Sequence, residues 1–334
     1  MKEKFIVSRT PLRISFAGGG SDLPAYFENS TAEGKVLSTA INKFVYVTVK
    51  NHGSTFKERI RLNYSETEVA QSTGELKNNI IRYCLELLDI TDPIYISSVS
   101  DIPSGSGLGS SSAFTVGLLN CLHKFRGDRQ LSPLELASEA VKVELDLVKS
   151  PIGLQDQYGC AVGGFKKIVF GNKRQVLLNS LDISMPQLRA IFEDILVMWT
   201  GDVRSASTIL SDQSKNTFGK MNEIQRMVDL ASALEERVKN GLSSQILGPF
   251  LHDGWKLKKS LSGKISYPKI DEYYDLALKN GALGGKLLGA GGGGFLLLVV
   301  PKIKQAKVES ALVDFEKVSV LPETRGTEII FSNC

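Results

Sequence analysis

Cysteine is scarce: Cys84, Cys121, Cys160 and Cys334 are the only four, far apart and without a CxxC pair, so neither a disulfide framework nor a zinc site is indicated. Long apolar runs are missing too. The longest, FLLLVV from Phe295, is far too short to cross a bilayer. The first residues, MKEKFIVSRTPLRISF, lack the apolar core and small-residue cleavage site of a signal peptide. Massed charge of one sign is also absent. The formal net charge is +4 with Lys and Arg scattered, which gives no footprint for nucleic acid but suits an anionic small molecule. Together these absences set the expectation of a reduced, cytoplasmic protein with no membrane or nucleic-acid partner.

What is present is an ordinary globular balance, 42% hydrophobic and 23% charged over 334 residues, a length that suits two domains. Strand patterns cover Phe5–Phe16, Lys35–Lys50, Arg59–Asn63, Ile94–Val99 and Gly164–Phe170, read from β-branched and aromatic residues and from alternation. Helical spacing covers Asn78–Asp89, Ala113–Phe125 and Pro133–Val148, the last announced by Ser132-Pro133-Leu134-Glu135, a capping box with proline at the first helical position. The pattern weakens around Asn179–Gln187, which places a boundary between domains at 1–185 and 186–334. Beyond it, a strand at Ile195–Thr200 leads into a long helical region, about Ala206–Ser260. A helix at Ile270–Asn280 and two strands around a glycine turn follow. Strands and helices interleave in both halves, an α+β class.

Two glycine-rich segments carry the chemistry. The first runs from Pro103 through Gly105, Ser106, Gly107, Leu108, Gly109, Ser110, Ser111 and Ser112, between a strand and a helix. A helix start offers free N–H groups and partial positive charge to a phosphate. Glycines let the backbone come close, and serine hydroxyls suit phosphate oxygens or Mg²⁺. No G-x-x-x-x-G-K-[ST] occurs, so neutralisation falls to a cation and backbone dipoles. The second segment, Lys286 to Phe295, contains G-x-G-x-x-G at Gly289, Gly291 and Gly294. A strand rather than a helix follows it, so the dinucleotide reading fails. A hairpin whose glycine tip lies against the active site is the expectation.

Together the two loops, with Thr10-Pro11-Leu12-Arg13-Ile14 and Gly18-Gly19-Gly20-Ser21-Asp22 near the start, resemble the three motifs of the GHMP kinases. The resemblance spans essentially the whole chain. Within that family, GGGSDLP followed by Ala25-Tyr26-Phe27, and Gln155-Asp156-Gln157-Tyr158-Gly159, are similar to the branch that phosphorylates the anomeric hydroxyl of D-glycero-D-manno-heptose 7-phosphate, for surface glycan synthesis. The fold so implied pairs an N-terminal domain like ribosomal protein S5 domain 2 with a ferredoxin-like C-terminal domain. ATP, Mg²⁺ and a sugar phosphate would meet between them.

The resemblance also implies roles. Asp156 would be the catalytic base, and Arg13 would help lower the pKa of the attacking hydroxyl. Ser111 and Glu144 would hold Mg²⁺, the spacing from Glu144 to Asp156 being one residue longer than in mevalonate kinases. Asp22, with Gly19, Gly20 and Ser21, would take sugar hydroxyls, and Gly291 and Gly292 would lie close to the substrate. Arg204 is a candidate for the distal phosphate, as guanidinium suits phosphate, and Lys166, Lys167, Lys173 and Arg174 are others. Other kinases of the family (fucose, galactose or mevalonate type), a decarboxylase on the same scaffold, a non-catalytic sugar sensor and a homodimeric state stay open.

Overall fold

The computed structural model describes residues 3–201 and 206–333. Its frame is set by two long strands, β1 (Phe5–Ala17) and β2 (Gly34–Asn51), paired antiparallel along nearly their whole length. β2 is long enough to hold two partners on its other edge. Its second half pairs with β5 (Ile94–Ser100) and its first half with β6 (Phe165–Gly171). Beyond β5 lie β3 (Ile60–Asn63), parallel to it, and β4 (Thr67–Ala70), and β7 (Gln175–Ser180) pairs with β6. Helices α1 (Pro24–Phe27), α2 (Asn79–Leu87), α3 (Ser110–Arg126), α4 (Pro133–Val141) and α5 (Gln155–Val162) complete this half.

Helix α3 is buried on almost every side and lies close on β1 and β2. Gly117 permits the approach: a Cβ there would come within 2.8 Å of Thr10 Oγ1, and its carbonyl accepts from Ser8 Oγ at 2.9 Å. The capping box at Ser132 forms as the sequence implies. The helix it starts, however, does not continue regularly to Val148. It widens into a π turn over Lys142–Leu147, the turn that carries Glu144.

The second half contains α6 (Met185–Glu193), β8 (Ile195–Trp199), α7 (Ala206–Asn216), α8 (Met221–Lys239), α9 (Ser244–Lys259), α10 (Pro268–Lys279), β9 (Gly284–Leu287), β10 (Phe295–Val299), α11 (Lys302–Ala311) and β11 (Glu316–Val318). Its four strands form an antiparallel sheet in the order β11-β8-β10-β9. That is last, first, third, second, and with intervening helices it makes the ferredoxin-like βαββαβ arrangement. The long helical region is broken into α7, α8 and α9, with Gly241 at a φ of 96° ending α8. α6 arises where the sequence pattern weakens, started by a second capping box at Ser184 and Gln187.

One element departs from the two-domain division. β12 (Glu328–Ser332) returns to the first sheet and pairs with Ile6–Arg9 of β1, so the stretch 186–334 does not belong wholly to the second half. Past Arg9 the outer edge of β1 is free of β12. Pro11, which has no N–H to give, falls there, and the same edge then receives the Gly/Ser loop through Arg13 N–H to Leu108 O, 3.0 Å.

Candidate active site

A cavity of about 180 Å³ lies where the two halves meet, lined by residues of β1, the Gly/Ser loop, α5, α7, α9 and the β9–β10 turn. Its floor at one end is the start of α3. Gly109 caps that helix with a φ of 79° and no side-chain hydrogen bond, leaving first-turn N–H groups facing the loop. Gly105, Gly107, Gly109, Ser110, Ser111 and Ser112 all line the cavity. Pro103 is exposed and stands outside it. Ser106 and Leu108 are buried beneath the loop rather than lining the cavity, because alternate residues of the turn face the core.

The two glycine loops pack backbone on backbone. A Cβ on Gly289 would sit 2.3 Å from Gly107 Cα, and one on Gly107 would sit 2.6 Å from Leu288 O. The hairpin tip thus closes over the phosphate loop, and Gly289 and Ala290 line the cavity. Gly291 and Gly292, expected near substrate, do not line it. They turn away to Ile265, whose carbonyl accepts from Gly292 N–H at 2.9 Å and would lie 2.7 Å from a Cβ on Gly291.

At the centre, Arg13 and Asp156 form a two-point ion pair. Nε donates to Oδ1 at 2.7 Å and Nη2 to Oδ2 at 2.6 Å, the geometry that makes such pairs strong. Nη1 is held by Gly107 O at 2.8 Å. Burial works against the Arg13 charge, but Asp156 together with Cys160 and Asp22 more than offsets it, and the guanidinium pKa lies above its ordinary value. The side chain of Arg13 is 4% exposed and that of Asp156 27%, so the carboxylate is the more accessible of two partners that both line the cavity.

Glu144 is buried under the same loop. Ser111 Oγ donates to its Oε1 at 3.1 Å; Ser112 Oγ and Gln157 Nε2 donate to Oε2 at 2.8 and 2.6 Å. Burial raises its pKa, and those three donors hold the rise back. No cluster of three or more His, Cys, Asp or Glu side chains suited to a metal exists among the described residues. One carboxylate with a hydroxyl beside a phosphate loop still fits Mg²⁺, which keeps several waters and takes the rest of its ligands from phosphate.

The other end of the cavity is built around Asp22. Its Oδ1 accepts from Gly20 N–H at 2.9 Å and its Oδ2 from Gln155 Nε2 at 2.9 Å. Burial raises its pKa, with the charge of Asp156 adding to the rise and the Gly20 bond opposing it. Gly19 and Gly20 line the cavity beside it. Ser21 does not. It is buried and ties the loop to β2, donating to Gly18 O at 2.7 Å and accepting from Lys35 N–H at 3.0 Å. Ser15 Oγ and Gln155 Oε1, both on residues lining the cavity, are buried with no hydrogen-bond partner among the described residues.

Arg204 lies outside the described residues. Lys166, Lys167, Lys173 and Arg174 do not line the cavity; Lys167 is paired with Glu235 and Arg174 with Asp146. The cations that do line it beside Arg13 are Lys258 and Lys286, which sequence reasoning missed along with Gln155 and Gln213. Lys286 opens the second glycine segment, which was a signal. Lys258 sits among Lys256 and Lys259 at the end of α9, and only burial sets it apart from those neighbours.

The family model described as GHMP kinases N terminal domain matches residues 75–164, and that described as GHMP kinases C terminal matches 230–317. The chain is 30% identical over 325 residues to the D-glycero-alpha-D-manno-heptose 7-phosphate kinase of Campylobacter jejuni, covering 92% of this chain and 93% of that one. It is 27% identical to a mevalonate kinase of Methanothermobacter thermautotrophicus, over 79% of this chain and 83% of that one. The crystal structure of a D-glycero-D-manno-heptose 1-phosphate kinase from Bacteroides thetaiotaomicron superposes with a TM-score of 0.78 at 23% identity, covering 98% and 99% of the two chains. That likeness shows the fold.

Proposed function

Since the chain belongs to the GHMP kinases and is a sugar-kinase phosphotransferase, we propose that it moves the γ-phosphoryl group of ATP to the anomeric hydroxyl of D-glycero-D-manno-heptose 7-phosphate. The observation that carries the reaction is the Arg13–Asp156 pair, which lines one cavity with both the phosphate loop and Asp22. The 30% identity to the Campylobacter enzyme over 92% of the chain supports the substrate.

In this reading Asp22 and Gln155 accept and donate bonds to sugar hydroxyls, and Ser15 Oγ and Gln155 Oε1 supply the unpaired atoms that such a ligand satisfies. Each Asp156 oxygen already accepts one bond from Arg13 and keeps a lone pair, so the carboxylate can take the proton of the attacking hydroxyl. Arg13 holds that carboxylate in place and lends its own charge to the oxygen as it loses the proton. Ser110–Ser112 and the start of α3 take the polyphosphate. Glu144 and Ser111 would hold Mg²⁺, which when bound neutralises charge on the phosphates. Product would serve nucleotide-activated heptose synthesis.

The test is ADP release with Mg²⁺-ATP against heptose 7-phosphate, mannose 6-phosphate, mannose, galactose, fucose and mevalonate. Strong turnover with heptose 7-phosphate alone is the expected result. Preference for a neutral sugar or for mevalonate would reject the substrate while leaving the kinase.

A further inference from the structure

Burying an ammonium is costly unless something pairs with it. Two are buried in this cavity, and no carboxylate among the described residues lies within ion-pair distance of either. Lys286 Nζ donates to Ser15 O at 2.9 Å. Lys258 Nζ donates to the carbonyl of Gly289. Both side chains come from the second half of the chain and both line the cavity. Lysine is otherwise almost never fully buried without a partner.

Their positions differ in what they can reach. Lys286 bonds to β1 and joins the halves. Lys258 is bound to Gly289, whose Cα is packed on Gly107, and Gly107 O in turn accepts from Arg13 Nη1. That chain of contacts sets the Lys258 ammonium at the junction of phosphate loop and ion pair. A helix-end lysine that only answers the dipole of α9 would sit exposed like Lys256, and Lys258 is 6% exposed.

We propose that Lys258 is a second cation for the transferring phosphoryl group, contacting the γ-phosphate of ATP together with Arg13 and releasing it as charge moves to the acceptor. The inference rests on the phosphoryl-transfer reading of this cavity and on no particular acceptor. Without a lysine in the phosphate loop, a cation delivered from the other half fills the same electrostatic need. It also makes the transfer site depend on the two halves being in contact.

Charge on Lys258 is pH-sensitive. Burial, with help from Arg13 of β1, pushes its pKa down to about 8, while Asp22 after β1 and Asp156 of α5 pull the other way. Lys286 of β9, the remaining facing group, is itself pushed well below its ordinary value by burial and by these cations. Lys258 is therefore charged below about pH 8 and loses its proton above it.

The experiment uses nucleotides alone, so a wrong acceptor does not enter it. Isothermal titration of the full chain with Mg²⁺-AMP-PNP and Mg²⁺-ADP compares wild type, Lys258→Met and Lys258→Arg, each first checked by thermal melting. Lys258→Met is expected to weaken AMP-PNP about tenfold or more and to leave ADP within about twofold. Lys258→Arg keeps most of the AMP-PNP affinity. The wild-type preference for AMP-PNP over ADP shrinks above about pH 8 and that of Lys258→Arg does not. Equal losses for both nucleotides would mean a structural tie through Gly289 and overturn the proposal. So would affinities for both nucleotides that stay unchanged in Lys258→Met. Should Lys258→Met melt early, Lys258→Gln keeps a donor to Gly289 and is read the same way.

Discussion

A guanidinium with almost no exposure has to be paired, and the way Arg13 is paired decides what Asp156 can do. Two of its nitrogens are committed to the carboxylate and a third to Gly107. The carboxylate is thus fixed relative to the phosphate loop to within the tolerance of hydrogen bonds, which is the positioning that phosphoryl transfer requires. Asp156→Asn keeps the shape, still accepts one bond from Arg13, and cannot take a proton. We expect kcat to fall by about 10²–10⁴-fold with AMP-PNP affinity nearly held, measured by single-turnover ADP release. Full activity in that variant would remove Asp156 from the role of base. Arg13 and Asp156 are legible only through the resemblance, at its motif positions, whereas the serine run at a helix start names its own chemistry. Lys258, Gln155 and Gln213 were not legible. Nothing in the local pattern separates Lys258 from Lys256 or Lys259, since the difference is which way the last turn of α9 faces once β9 is packed under it.

At the scale of elements, glycine made the loops readable. Where backbone must touch backbone, as between Gly107 and Gly289, no other residue fits, so the requirement is written into the residue type itself. The same holds before α5. A Cβ on Gly153 would fall 1.9 Å from Asp22 Oδ2, so Gly153→Ala must push Asp22 out of its bonds with Gly20 and Gln155. We expect the KM for the acceptor to rise about tenfold or more with a smaller effect on nucleotide affinity, since even ~1 Å of misplacement is costly. An unchanged acceptor KM would show that Asp22 does not touch the sugar. The π turn at Lys142–Leu147 was not legible, because its one wider turn leaves no periodic signature over so short a stretch. It takes up an extra residue locally, and from it Glu144 reaches Ser111, Ser112 and Gln157. Most of the strand patterns end near the observed strands, but nothing in the sequence reading marks β4 at Thr67–Ala70. α6 and β7 were lost in the weak stretch between halves, where half-exposed elements carry little alternation.

For the whole molecule, the return of β12 to β1 was the feature least open to sequence reasoning, because pairing between residues more than three hundred positions apart leaves no local trace. It has a mechanical consequence. β1 carries Arg13 and Ser15 toward the cavity, and its first residues are gripped from both sides, by β2 along the strand and by β12 at Ile6–Arg9. The grip includes the Arg9–Glu328 ion pair, the Thr10–Thr327 hydroxyl bond at 2.8 Å and the edge-on contact of Phe5 with Phe331, ring centres 5.7 Å apart. Removing residues 327–334 would leave the outer edge of β1 unpaired, and an unpaired apolar edge invites pairing with another chain. The truncated protein should melt about 5 °C or more below the full chain and form larger species in size-exclusion runs. Its activity per folded molecule should fall as well, since the strand that loses its outer partner is the one that presents Arg13 to Asp156. A truncated chain that melts with the full-length one and keeps its activity would mean that β2 alone sets the position of β1, and that the first half of the chain closes its own sheet without help from the last.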